Sequence, residues 1–160
     1  NRVAILDIDA HHGNGTQEIF YGRDDVVYTS VHVDPGEGWF PHFVGFDDEI
    51  GVEDGQGANL NVPIAPGSGD EAWLSAVDKA LAFVLEGECD ALVVSLGVDA
   101  AASDPESPLE VTENGYEEAG RRIASLRLPT VLVQEGGYDL ETVGSLVDSA
   151  LRGFEGGGWH

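Results

Sequence analysis

The sequence predicts an α/β fold of three layers, α/β/α, built around a mainly parallel sheet. Apolar segments of strand length, rich in β-branched residues, occur at residues 3–8, 26–33, 60–64, 91–96 and 130–133. Helical patterns separate the later segments. Strands that are apolar on both faces and alternate with helices form parallel sheets covered on both sides. The length of 160 residues fits one such domain.

The helices follow from apolar spacing and from capping residues. Residues 70–86 carry apolar side chains at intervals of three and four, which places these side chains on one helix face. Thr112 can cap a second helix that extends to about residue 126, and a third helix is expected at about residues 140–154.

Two segments do not fit the alternation of strands and helices. Residues 34–57, rich in Gly, Pro and Asp, are too many for a simple connection, so we expect a functional loop. The glycines at residues 156–158 should fray, and His160 would belong to the same tail. In parallel sheets ligands bind at the carboxyl ends of the strands, so polar residues at those ends are the candidates for a site.

Charge is the extreme property of the composition. Asp and Glu number 30 against 7 Lys and Arg, which gives a net charge of −23 at pH 7. Such a surface repels phosphate backbones and argues against nucleic acid as a partner. The chain has no membrane-spanning apolar run and one cysteine, Cys89, so a soluble cytoplasmic protein is expected. Because molar salt screens repulsion and Lys79 is the only lysine, we expect a salt-rich cytoplasm, with an ordinary acidic protein as the alternative.

Two carboxylates and an imidazole mark the end of the first predicted strand. Side chains alternate along a strand, so Asp7, Asp9 and His11 should point to one side near its exit. Asp99 follows the strand at 91–96 and should reach the same edge of the sheet. Burying these groups is costly unless a cation compensates their charge, and a metal would do so.

Asp9, His11 and Asp99 would supply one nitrogen and two oxygen ligands. Three protein ligands leave a position for water, which is typical of catalytic zinc. Fe²⁺ or Co²⁺ would accept the same ligands. An Asp-x-His pair by itself is a weak signal, because the Asp could be a turn residue and the His a buried structural residue.

The longer run from Asp7 to Gln17 resembles the signature of the histone deacetylase and acetylpolyamine amidohydrolase family. The likeness continues in order and spacing through residues 30–32, 35–36, 40–41, 61–63, 99–105, 111–116 and 135–138. The resemblance implies an arginase/deacetylase-like fold that is incomplete here. Residues 1–160 would be a single partial catalytic domain that lacks its N-terminal half.

The resemblance also implies roles for individual residues. Asp9, His11 and Asp99 would bind zinc, and Tyr138 would donate a hydrogen bond to the substrate carbonyl. This role suits the chemistry, since amide hydrolysis builds negative charge on that oxygen.

Further positions match the family's substrate channel and a second cation site. Phe40 and Gly137 would line the channel that holds the acylated amine. A structural potassium ion would lie beneath the zinc site. Its ligands would be the side chains of Asp7 and Ser30 and the backbone carbonyls of Asp9, His11 and Val31.

The implied function is a metal-dependent amidohydrolase that removes acetyl groups from acetyl-lysine or acetylpolyamines by attack of zinc-bound water. The family's general base is a histidine pair upstream of the zinc-binding strand. This chain begins two residues before that strand. We therefore expect the pair to be absent and the chain alone to be weakly active or inactive. His12 is the nearest substitute, but it should face away from His11.

Two other functions stay open. An arginase-like ureohydrolase binds two manganese ions, but Gly13 and Ala101 stand where the extra carboxylates would be, so one metal is favoured. A non-catalytic module that binds metal or acetylated amines would not need the hydroxyl group of Tyr138. The expected partner is a small acetylated amine or acetyl-lysine, and the sequence leaves the oligomeric state open.

Overall fold

The structure, a computed structural model, describes residues 2–157. Its strands are β1 (Val3–Asp7), β2 (Val26–Val33), β3 (Asn59–Ile64), β4 (Ala91–Leu96) and β5 (Thr130–Gln134). They form one parallel sheet in the order β3-β2-β1-β4-β5. The helices are α1 (Asn14–Phe20), α2 (Asp70–Glu86), α3 (Glu113–Ala124) and α4 (Val143–Gly156), and Pro35–Glu37 and Glu53–Gly55 form short 3₁₀ helices. The predicted α/β class with a parallel sheet is confirmed.

Local hydrogen bonds explain where the helices begin. Thr112 caps α3 as expected, because its Oγ1 accepts a hydrogen bond from the amide of Gly115 at 3.2 Å. The last helix begins at Val143 rather than near residue 140. Asp139 forms a turn there, accepting bonds from Thr142 Oγ1 at 2.7 Å and from the Val143 amide at 2.9 Å.

Helix α1 differs from what the sequence predicted, and the predicted C-terminal tail lies partly beyond the described residues. The short helix α1 was not predicted, since its seven residues carry no side-chain cap. Residue 156 ends α4. The remainder of the predicted tail, residue 158 and His160, lies outside the described residues.

The hydrophobic core lies on one face of the sheet. Strand residues such as Ala4, Leu6 and Val94 are fully buried there, together with Trp73 and Val77 of α2. Helices α3 and α4 extend this layer and pack against each other. Burial of each large apolar side chain contributes about 1.5–3 kcal/mol, so this layer is a large source of hydrophobic stabilisation.

The opposite face of the sheet is covered only in part. Helix α1 and residues 34–57 lie over β2, whose residues are all buried. Over β5 the face is open, and Val131 and Val133 are 60% and 40% exposed. The third layer is thus incomplete among the described residues. None of the helices that the structure describes has the length and apolar character of a membrane span.

The site lies where the direction of the chain connections changes. Strands β1 and β4 are neighbours, but the chain leaves β1 towards β2 on one side and leaves β4 towards β5 on the other. Such a point opens a crevice at the carboxyl ends of the two strands. The segments that follow β1 and β4 enter this crevice.

Candidate metal centre

The structure brings Asp9, His11 and Asp99 together at the crevice. Asp9 and His11 follow β1, and Asp99 follows the paired strand β4. One potential ligand atom from each side chain lies within 4.8 Å of the other two. His11 Nδ1 is 3.1 Å from Asp99 Oδ2 and 3.5 Å from Asp9 Oδ1. Among residues 2–157 no other group of His, Cys, Asp or Glu side chains converges in this way.

Backbone amides hold the two carboxylates. The amide of Ala10 donates to Asp99 Oδ1 at 2.9 Å. Asp9 Oδ1 accepts from the amide of His11 at 2.9 Å, and Asp9 Oδ2 accepts from the amide of Gly136 at 3.0 Å. Hydrogen bonds to an ionised oxygen are about twice as strong as those between neutral groups. The carboxylates are therefore oriented by the fold itself.

The charge of the triad fits a divalent cation. The Asp99 side chain is fully buried, and within the described residues no lysine or arginine pairs with it or with Asp9. Hydrogen bonds to Asp9 and then to Asp99 raise the pKa of His11 to about 9. Burial raises the pKa of Asp99. A protonated His11 would offset only one of the two negative charges, whereas a divalent cation bound by the neutral imidazole would offset both. This set of one nitrogen and two oxygen donors suits zinc, iron or cobalt.

Two glycines make room for the carboxylates. A Cβ atom at Gly136 would lie 2.5 Å from both Asp9 Oδ2 and Asp99 Oδ2. A Cβ atom at Gly97 would lie 2.3 Å from Asp9 Oδ2. Carbon atoms do not approach oxygen that closely, so any other residue would displace these carboxylates. Glycine is required here by space.

A cavity of about 610 Å³ adjoins the triad. Tyr138 and Phe40 line it and are 56% and 53% exposed. Glu106 and Glu135 also line it, and within the described part of the chain no lysine or arginine does. Burial, and then the charge of Asp99, raises the pKa of Tyr138, so its phenol is protonated at neutral pH. The cavity combines aromatic walls with negative charge.

The side chains predicted to bind potassium lie below the triad. Asp7 is 4% exposed, and it accepts hydrogen bonds from the Asp9 amide at 3.1 Å and from Tyr28 Oη at 3.3 Å. Burial, and then the charge of Asp9, raises the pKa of Asp7 well above its usual value. Ser30 stands opposite Asp7 in the sheet, and its Oγ lies 2.8 Å from His32 Nδ1. Val31 is fully buried beside Ser30.

His12 has a buried position that does not suit a catalytic base. It forms part of the cavity wall, but it is 2% exposed and its ring centroid lies 4.6 Å from that of His32. Neither ring nitrogen of His12 has a hydrogen-bond partner among the described residues. Burial, and then the nearby His32, lowers its pKa to about 3. A buried imidazole of this kind is a poor proton acceptor near neutral pH.

Comparison with known proteins identifies the family. Residues 1–154 match the family model described as histone deacetylase domain. The chain belongs to the histone deacetylase family. Among its relatives, acetylpolyamine amidohydrolase 1 of Pseudomonas aeruginosa is 48% identical over 155 residues, and the acetylpolyamine amidohydrolase of Mycoplana ramosa is 43% identical over 155 residues. Each alignment covers 97% of this chain, but only 44% and 45% of the two relatives.

Solved structures of the histone deacetylase family show the same fold. The crystal structure of an acetylpolyamine aminohydrolase from Burkholderia pseudomallei superposes with a TM-score of 0.93 at 48% identity, covering 96% of this chain and 44% of that chain. The HDA15 HD domain gives a TM-score of 0.90 at 34% identity, with 97% and 46% covered. The chain thus spans less than half the length of its relatives.

The space around Gly13 and Ala101 argues against the two-manganese alternative. A Cβ atom at Gly13 would lie 2.4 Å from Asp7 Oδ2, so that position has no room for a carboxylate in this arrangement. Ala101 is 1% exposed and supplies no ligand. A second divalent ion has no ligand set among the described residues.

Sequence reasoning missed several residues of the site, among them Gly97, Glu106 and Asp104. Gly97 is needed for its lack of a side chain, Glu106 lines the cavity, and buried Asp104 accepts hydrogen bonds from the backbone of Tyr138. The Asp-Pro dipeptide at 104–105 is typical of a turn, but it does not indicate which distant backbone the carboxylate contacts.

Proposed function

We propose that this chain is the metal-carrying part of a deacetylase that hydrolyses the acetyl amide of acetylated polyamines or acetyl-lysine. The observation that carries the proposal is the convergence of Asp9, His11 and Asp99 beside a cavity that Tyr138 lines. The names of the P. aeruginosa and M. ramosa relatives support the same chemistry. Since the chain covers less than half of those relatives, the activity is proposed for the full-length protein.

Asp9, His11 and Asp99 would hold zinc, with Fe²⁺ or Co²⁺ as the alternatives. The metal would polarise the substrate carbonyl and make water a stronger nucleophile near neutral pH. The backbone amides at Ala10, His11 and Gly136 keep the carboxylate oxygens aimed at one point. These bonds come from the backbone of the fold, so the orientation would cost no reorganisation during the reaction.

Tyr138 would stabilise the oxygen on which charge develops. Its phenol remains protonated at neutral pH, because burial and the negative charge of Asp99 raise its pKa. A protonated phenol donates a hydrogen bond to the substrate carbonyl without carrying charge of its own. Loss of one such donor lowers kcat by about 100- to 1,000-fold in other hydrolases.

The general base would come from the segment that the longer relatives carry in addition. His12 is the histidine nearest to the ligands in sequence, and its burial and low pKa do not suit proton transfer. We infer that the chain alone binds metal but turns over substrate weakly or not at all. Addition of that segment would supply the missing proton acceptor.

The cavity suits a cationic acetylated amine. Phe40 gives an apolar wall for the methylene chain, while Glu106 and Glu135 give negative charge. Acetylated polyamines and the flanks of acetyl-lysine can both carry positive charge, so this rim attracts either class.

A structural potassium ion is proposed beneath the zinc site. Its ligands would be the side chains of Asp7 and Ser30 and the carbonyl oxygens of Asp9, His11 and Val31. Among the described residues, no side chain of lysine or arginine pairs with Asp7, and no hydrogen bond is donated to the carbonyl oxygens of Asp9 and His11. A monovalent cation would offset the buried carboxylate.

The test is deacetylation by the full-length protein, measured with an acetylated polyamine and an acetyl-lysine peptide. Asp99→Ala should abolish activity and metal content, and Tyr138→Phe should lower kcat by about 100-fold or more while metal content is kept. Asp48→Ala and Tyr21→Phe are matched controls outside the cavity and should behave as wild type. Full activity of either site variant would refute the proposal.

A further inference from the structure

One buried carboxylate outside the triad contacts the backbone of the proposed oxyanion donor. Asp104 is 7% exposed. Its Oδ2 accepts hydrogen bonds from the amide of Tyr138 at 2.6 Å and from that of Asp139 at 3.2 Å. Its Oδ1 accepts from the amide of Glu106 at 2.9 Å. These three bonds join two segments that both line the cavity.

Tyr138 makes no other hydrogen bond among the described residues. Its side chain is 56% exposed, and its hydroxyl group makes no hydrogen bond there. On its N-terminal side stands Gly137, whose φ of 143° lies in a region that glycine alone enters easily. The position of the phenol therefore depends on its backbone.

Two carboxylates bracket this flexible glycine. Before it, Gly136 is held by its amide, which donates to Asp9 Oδ2 at 3.0 Å, and by its carbonyl, which accepts from the Val98 amide at 2.8 Å. After it, the Tyr138 amide donates to Asp104. One carboxylate belongs to the metal triad and the other does not.

A second contact joins the same two segments. Ser103 Oγ lies 3.1 Å from Thr142 Oγ1, just before α4. Thr142 in turn donates to Asp139 Oδ2 at 2.7 Å. The turn that contains Asp104 is thus tied to both ends of the segment 138–142.

We propose that Asp104 is a positioning residue that holds Tyr138 beside the metal triad. This role rests on the proposed function, since it assumes that the Tyr138 phenol meets the substrate carbonyl. Hydrogen bonds from backbone amides to a carboxylate are stronger than those to a neutral acceptor. A misplacement of a catalytic group by about 1 Å costs on the order of 100-fold in rate.

The kinetic test is a double-mutant cycle in the full-length protein. Asp104→Ala should lower kcat by about 30- to 100-fold with KM changed less than about twofold. Asp104→Asn keeps one acceptor oxygen and should recover part of that loss. In the Tyr138→Phe background, Asp104→Ala should cause no further loss, because the phenol that it positions is already gone. Independent losses that multiply would overturn the proposal.

Amide hydrogen exchange on this chain gives a readout that does not depend on activity. Asp104→Ala should remove the protection of the Tyr138 and Asp139 amides, while the amides of β1 and β4 stay protected. Asp70→Asn is the matched control, since Asp70 also accepts a backbone bond, from the Thr112 amide at 2.8 Å, but away from the cavity. Unchanged protection at Tyr138 would overturn the positioning role. An inactive wild-type protein with the expected exchange would contradict the proposed function instead.

Discussion

The absence of a side chain at Gly136 leaves the space that the two carboxylates of the triad occupy. The carboxylates of Asp9 and Asp99 both press against the backbone of Gly136, which lies 127 positions from Asp9 in the chain and donates a hydrogen bond to it. The triad is thus held by three segments, although only two of them supply its side chains. Changes at the third segment should alter metal binding without removing a ligand.

Gly136→Ala is predicted to weaken zinc binding by about 10- to 100-fold, the usual effect of losing a group that supports metal ligands. The new methyl group would meet Asp9 Oδ2 and Asp99 Oδ2 at 2.5 Å and force them apart. Calorimetric titration of the chain with zinc measures the change. Gly15→Ala is the control, because a Cβ atom there has nothing within 4 Å. Equal affinity of both variants would contradict the geometry of the site.

Glu106 should influence substrate choice rather than chemistry. Its carboxylate is exposed at the cavity and forms no ion pair among the described residues. Glu106→Gln is predicted to raise KM for an acetylated polyamine by about 2- to 5-fold, as expected for one exposed charge pair. KM for a neutral acetylated amine of similar length should stay the same. A parallel rise for both substrates would show that charge is not recognised there.

At the level of elements, the sequence predicted what depends on local pattern. Strand positions and the start of α2 at Asp70 follow from apolar spacing, and Thr112 caps α3 as its residue type suggests. Helix α1 was missed because seven residues without a cap leave little signal. The strand order was not readable either, although it is what places the segments after β1 and β4 side by side.

The same limit applies to the site. The convergence of Asp9, His11 and Asp99 could be predicted because strand ends in a parallel sheet meet at one edge. Their role as metal ligands stays a prediction from the family motif. Asp104 and Gly97 were not found, since their roles are contacts with backbone or side chains far away in sequence. Roles of this kind become visible only in three dimensions.

One carboxylate makes several of the hydrogen bonds that connect the long segment 34–57 to the rest of the fold. Glu49 Oε2 accepts hydrogen bonds from Gln17 Nε2 at 2.7 Å, from the Gly45 amide at 2.8 Å and from Asn61 Nδ2 at 3.2 Å. Gly45 also covers His32, since its carbonyl lies 2.8 Å from His32 Nε2. Phe40, which lines the cavity, belongs to the same segment.

Glu49→Ala is predicted to lower the free energy of unfolding by about 1–3 kcal/mol, because it leaves buried donors without an acceptor. Urea denaturation of the chain followed by circular dichroism measures the loss. Asp48→Ala removes the neighbouring exposed carboxylate and should change stability by less than about 0.5 kcal/mol. If the two variants were equally stable, Glu49 would not anchor the segment.

At the scale of the whole molecule, two features matter for stability: a partly open sheet face and a large negative charge. The exposed Val131 and Val133 mark the part of the third layer that the described residues leave uncovered. Repulsion between negatively charged molecules keeps them apart in solution, but repulsion within one molecule also destabilises its folded state.

Stability is therefore predicted to depend strongly on salt. Thirty acidic residues face seven basic ones, and ion pairs such as Arg23–Asp25 and Arg152–Asp148 leave most of the carboxylates unpaired. Screening shortens the Debye length from about 10 Å at 0.1 M to about 3 Å at 1 M salt. The midpoint of thermal unfolding should rise between 0.01 and 2 M KCl, and it should rise about equally in NaCl if only screening acts.

The proposed potassium site would add a second effect. It would raise the midpoint further at low concentrations of KCl but not of NaCl, and Asp7→Asn would remove this additional rise. A midpoint that does not change with either salt would contradict both the salt-rich cytoplasm expected from the composition and the idea that self-repulsion limits this fold.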